Sequence, residues 1–145
     1  MLRNRSVPVS TVLPHIVYRD LNRAVEWLVA TFGFVEHYRY GEPLSGVQVH
    51  LGEAWLMLGG VREERRSPGQ AGGCTQSLTI FIEDVENHYA RSTEAGANVV
   101  EELHETIYGE LQYGVRDPEG HVWLFSRHAR DVDPADWGAT VINPL

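Results

Sequence analysis

Gly52-Glu53-Ala54-Trp55-Leu56 and Gly120-His121-Val122-Trp123-Leu124 place glycine, tryptophan and leucine in the same order in the two halves of the chain. Each stretch begins at a turn and runs into β-forming residues, which is the pattern of a hairpin. Working outward, residues 12–18 form a short apolar run whose Pro14 suits a first or edge strand. Asp20 then offers a helix N-cap, and Leu21, Ala24, Val25, Leu28 and Phe32 recur at helical spacing until Gly33 stops them. Extended segments follow at 34–40, 47–51 and 54–58. The order repeats with a strand at 77–82, a cap at Asp84, a helical face of Val85, His88, Tyr89 and Ala95, and a stop at Gly96. Segments 98–103, 111–116 and 121–126 complete it, with Asp117-Pro118-Glu119-Gly120 as a turn. The chain therefore reads as α+β, one domain over 1–145 built of two tandem βαβββ units at about 12–58 and 77–128. One unit alone leaves a sheet face bare, so two are expected to pack together and enclose something.

Residues 59–76 hold Gly59-Gly60, a charged run at 62–66 and Gly72-Gly73, and read as a mobile linker with a solvated charge run. Residues 129–145 read as an irregular tail. The formal charge of −8 argues against a nucleic-acid partner. No apolar run approaches the roughly 18–20 residues of a membrane span. Arg3 and Arg5 are not followed by an apolar stretch of signal-peptide length, so a cytoplasmic protein is expected. Cys74 stands alone, with no partner for a disulfide or a zinc knuckle. All twelve basic residues are arginine, which we read as coding bias.

Tyr18-Arg19-Asp20-Leu21 leading into Glu26-Trp27-Leu28, Phe32-Gly33-Phe34, the stretch from Glu83 to Tyr89, and Glu94-Ala95-Gly96-Ala97 form a recognisable set. With the run from Tyr113 to Trp123, the sequence resembles the vicinal oxygen chelate superfamily over about residues 12–128. This is the group of glyoxalases, bleomycin-resistance proteins and extradiol dioxygenases, and the likeness is to its uncharacterised bacterial branch. The resemblance implies curved mixed sheets around a central cavity and a homodimer.

It also implies metal ligands seven residues before each capping aspartate and four residues after each turn glycine. Those positions hold Leu13 and Ser77, and Leu56 and Leu124. Leucine has no donor atom and serine is a poor ligand for such metals, so neither a metal nor another cofactor is expected. His15, Gln48 and His50 could form an improvised set, while His37, His88, His104, His121 and His128 show no ligand spacing. His88 is expected to pack and His121 to be exposed. The acidic positions Glu101, Glu102 and Glu105 read as a solvated edge. In the hairpins Trp55 and Trp123 are expected to face the helices, opposite to Leu56 and Leu124.

The ligand-facing positions are then Leu13, His15, Val17, Gln48, His50, Leu56 and Leu58 in the first half. In the second they are Ser77, Thr79, Phe81, Leu124 and Ser126, with Tyr38, Tyr40, Tyr108 and Tyr113 at the mouth. Mainly apolar with a few polar groups, this set suits an organic small molecule. Relatives often carry arginine where Leu111 stands, which weakens the case for an anionic ligand. The reading is a metal-free small-molecule binder that sequesters a drug-like or aromatic compound. Its alternatives are a lyase, isomerase or dioxygenase using other ligands or a histidine base, and a dimeric interaction module.

Overall fold

The computed structural model describes residue 5 and residues 11–145. Arg3, on which part of the signal-peptide reading rests, lies outside the described residues. The chain divides into two compact units, residues 1–76 with Asp117–His121, and Ser77–Arg116 with Val122–Leu145. Each is a βαβββ unit with a four-stranded mixed sheet, and neither sheet closes into a barrel.

In the first unit the strands are β1 (His15–Tyr18), β2 (Val35–Tyr40), β3 (Gly46–Leu51) and β4 (Ala54–Gly60), in the order β1-β4-β3-β2. β1 runs parallel to β4 and the remaining pairs are antiparallel. Helix α1 (Leu21–Phe32) starts where the Asp20 carboxylate accepts the Arg23 amide at 3.1 Å. It ends at Gly33, whose φ of 82° is the left-handed geometry glycine adopts without strain. Leu21, Val25, Leu28 and Phe32 are buried on one face, each worth roughly 1.5–3 kcal/mol. Beneath them lie Ile16, Tyr18, Val47, Val49, Leu56 and Leu58.

Segment 59–76 has more structure than a linker. β4 runs on through Gly60, Arg62 and Arg65 form an antiparallel bridge, and Pro68–Ala71 is the short helix α2. Ser67 and Gln70 close a capping box at its start, and Ser67 is fully buried. The connection 117–121 groups with this unit. Asp117, 3% exposed, accepts the Tyr18 hydroxyl at 2.6 Å and the Glu119 and His121 amides at 3.0 Å each. Glu119 accepts the amides of Arg19 and Asp20 just ahead of α1. His121, expected to be exposed, is half-buried, with Nε2 donating to the Val17 carbonyl at 2.8 Å and its ring edge-on to Tyr18.

The second unit has β5 (Ser77–Phe81), β6 (Asn98–Glu105), β7 (Glu110–Arg116) and β8 (Val122–His128), ordered β5-β8-β7-β6. Helix α3 (Val85–Glu94) is capped by Asp84, which accepts the Asn87 amide at 3.0 Å. Its contact with the sheet is partly polar. The buried Tyr113 hydroxyl meets Ser92 Oγ at 2.8 Å and His88 Nδ1, while the His88 ring packs 4.3 Å from Phe125. Trp123 lies on this helix-facing side and is 1% exposed. In the tail, residues 134–137 make a 3-10 turn, and Trp137 packs edge-on against Tyr108.

Burial raises the Tyr113 pKa from its usual 10 to about 12, with the Ser92 hydrogen bond working against the rise. The unfolded chain ionises first, so this contribution is intact below pH 10 and is lost between pH 10 and 12. The loss is on the order of 2–3 kcal/mol. Alkaline unfolding followed by circular dichroism, with tyrosinate absorbance in parallel, should show it, and Tyr113→Phe should flatten that part of the profile.

Candidate functional site

Side chains alternate across a strand, so each sheet has a helix-covered face and a helix-free face. In the first unit the helix-free face carries three cross-strand rows. The middle row is His15, Met57, Gln48 and Tyr38, one flank is Trp55 and His50, and the other is Val17, Gly59, Gly46 and Tyr40.

Gln48 is fully buried at the centre. Its amide oxygen accepts from His37 Nδ1 at 2.6 Å, and its amide nitrogen contacts the Met57 sulfur at 3.5 Å. The Tyr38 hydroxyl reaches the same sulfur at 3.6 Å. His37 comes into range because it is the extra residue of a β-bulge between Glu36 and Tyr38. His50 stacks on Trp55 with ring centroids 4.2 Å apart and a 20° interplanar angle. Its Nδ1 faces the Gly52 carbonyl at 3.1 Å, so in the neutral ring Nδ1 carries the proton and Nε2 is an acceptor with no partner among the described residues. His15 is exposed, two positions before Val17 on the same face.

This corrects the expected faces in the first hairpin. Trp55 lies with His50 away from α1, whereas Leu56 and Leu58 are buried on the α1 side, at 2% and 1% exposure. The cause is turn length. Leu51 pairs with Ala54 across a two-residue turn at Gly52 (φ 58°) and Glu53, but Arg116 pairs with Val122 across five residues. Counted from the parallel pairs Ile16–Leu58 and Ile80–Phe125, the counterpart of Trp123 is Leu56 rather than Trp55, and that of Leu124 is Met57.

In the second unit the helix-free rows are Thr79, Leu124, Gly114 and Glu101, then Phe81, Ser126, Gln112 and His104. Ser77 opens the same face of β5, and Ser77, Thr79 and Phe81 are all exposed. Gln112 is 5% exposed and anchors a network that the sequence reading missed. Its nitrogen donates to Glu101 Oε1 at 3.0 Å, while its oxygen accepts from Ser126 Oγ at 2.8 Å and from the Tyr108 hydroxyl at 3.3 Å. His104 Nε2 also meets Glu101 Oε1, at 2.5 Å. Two irregularities in β6 put Glu101 and His104 on one face despite their odd spacing. Tyr113, expected at a ligand mouth, is instead fully buried against α3.

A separate cavity of about 380 Å³ lies in the first unit between α1 and the 117–119 turn, walled by Tyr18, Arg23, Trp27 and Leu28. The carboxylates beside it, Asp117 and Glu119, already serve as structural acceptors.

The chain belongs to the glyoxalase/bleomycin resistance protein/dioxygenase superfamily, whose profile matches residues 10–125. The crystal structure of TioX from Micromonospora sp. ML1 is similar to this chain at 32% identity and a TM-score of 0.69, covering 82% of this chain and 98% of that one. An uncharacterized protein of Mycobacterium bovis is 29% identical over 131 residues, 83% of this chain and 84% of its own length. The fosfomycin resistance protein FosX of Listeria monocytogenes shares the fold at 12% identity and a TM-score of 0.63, covering 83% of this chain and 94% of that one.

The divalent metal implied by the superfamily does not fit the residues present. The family positions hold Leu13, Ser77 and Leu124, with Met57 where the structural register places the fourth. Among the described residues no group of three or more His, Cys, Asp or Glu could hold a metal ion.

Gly114 tests the second face. A Cβ there would lie 2.8 Å from Leu124 Cδ2 and 3.2 Å from Glu101 Cβ. Gly114→Ala should displace Glu101 and cost about 1–3 kcal/mol, measured by urea unfolding at pH 7. A variant as stable as the parent would mean that Glu101 is not seated over this glycine.

Proposed function

We propose that the protein is a metal-free binder that sequesters an aromatic small molecule, working in the cytoplasm as a homodimer. The observation that carries this reading is the His50–Trp55 stack beside the buried Gln48 on a helix-free sheet face. A flat aromatic surface with one imidazole acceptor, held over a buried amide, suits a planar guest bearing a donor. Phe81 and Thr79 are exposed on the second unit's helix-free face. Among the described residues no helix is long and apolar enough to cross a membrane. Membership of a superfamily whose members bind small molecules and often dimerise adds support.

Titration with 2-naphthol, followed by tryptophan fluorescence, tests the reading. His50→Ala should weaken binding by about 1 kcal/mol, roughly fivefold, while leaving the thermal midpoint close to the parent's. Equal affinity in His50→Ala, Trp55→Phe and Gln48→Leu would move the ligand elsewhere. Titration of untagged protein with zinc, manganese, nickel and iron should give no stoichiometric complex. A one-to-one complex abolished by His15→Ala or His50→Ala would replace this reading with a metalloenzyme. Light scattering at micromolar concentration should give the mass of two chains.

A further inference from the structure

At one end of the first sheet, Arg62 and Arg65 exchange both backbone hydrogen bonds, at 2.9 and 3.1 Å, across a turn formed by Glu63-Glu64. A pair bonded in this way sits directly opposite, with both side chains on one side of the ribbon. Like charges so placed repel one another. Among the described residues neither arginine has a carboxylate partner, nor does the neighbouring Arg66, although the protein carries 20 acidic residues against 12 basic ones.

Arg62 and Arg65 line one small cavity of about 40 Å³ together with His15, Tyr40, Met57 and Gly59. The hollow exists because Gly59 has no side chain and because the Tyr40 ring lies over Gly46, where a Cβ would come within 2.4 Å of it. On the other side of His15, Arg66 and His121 line an adjoining cavity of about 140 Å³. The first cavity has room for roughly three waters, which matches a tetrahedral head group better than a ring.

We propose that Arg62 and Arg65, with His15 and the Tyr40 hydroxyl, form an oxyanion site for the phosphate, phosphonate or sulfonate group of a small aromatic ligand. Two guanidiniums lining one hollow supply the N–H donors that such groups take bidentately, and a bound anion offsets the repulsion between them. The floor continues from Gly59 and Met57 toward Gln48, then to the His50–Trp55 stack one row further on. An arene joined to the head group would lie along that floor. This inference rests on the reading that the same face holds an aromatic guest, and it specifies the charge of that guest. It also assigns a role to a charge run that the sequence presents as a solvated loop.

The test compares 2-naphthol with 2-naphthyl phosphate in the parent and in the Arg62→Gln/Arg65→Gln double variant at fixed ionic strength. The phosphate ester should bind the parent about tenfold or more tightly than the alcohol, and the double variant should lose that preference while keeping its affinity for 2-naphthol. Equal affinities in the parent would overturn the inference and leave the aromatic-binder reading standing. If neither aromatic binds, inorganic phosphate decides. A rise in the parent's melting temperature over that in chloride of the same ionic strength, absent from the double variant, supports the site, and no such rise overturns it. Both arginines are exposed, so the double variant should fold, and without phosphate it should melt no lower than the parent.

Discussion

A sheet with one helix-covered face commits every strand residue by parity. Odd and even positions go to opposite faces, and a single residue added to or removed from a turn exchanges them. In this chain the two hairpins differ in that respect. The first turns in two residues at Gly52-Glu53, and the second takes five from Asp117 to His121. The longer turn also supplies Asp117, whose carboxylate holds Tyr18 and the turn itself, and Glu119, which satisfies two amides ahead of α1. The tryptophans of the two halves consequently do different work. Trp123 is core beneath α3, and Trp55 is the floor of a candidate binding face.

Much of the fold is legible from residues whose signals are local. Asp20 and Asp84 cap helices because a carboxylate three residues ahead of an amide has few better partners, and Gly33 ends α1 because it tolerates positive φ. The alternating segments become strands close to their expected limits. The capping box at Ser67-Pro68-Gly69-Gln70 was also written in the sequence, but the surrounding glycines and charges mask it.

The site is less legible because its chemistry depends on register. His37 meets Gln48 only through a bulge, and Glu101 and His104 share a face only because β6 is irregular between them. Strict alternation assigns such residues to the wrong side. Tyr113 is a comparable case. It is expected at a ligand mouth, yet Ser92 and His88 on α3 provide the partners its hydroxyl needs once buried.

Register also separates the two faces chemically. The inner strand of the first sheet reads Gly46-Val47-Gln48 and that of the second reads Gln112-Tyr113-Gly114, the same elements in reverse order. Each glycine lets a neighbouring side chain lie against the backbone, Tyr40 over Gly46 and Leu124 with Glu101 over Gly114. Each glutamine is buried and held by named partners. Because the order is reversed, the fixed amide stands in the middle row of the first face and one row further on in the second. Around it the first face gathers two imidazoles, indole and thioether, and the second gathers a carboxylate, hydroxyls, the His104 imidazole and the Phe81 ring. A duplicated backbone has thus diverged into two surfaces of unlike polarity. The first of them is the face on which we place the proposed guest.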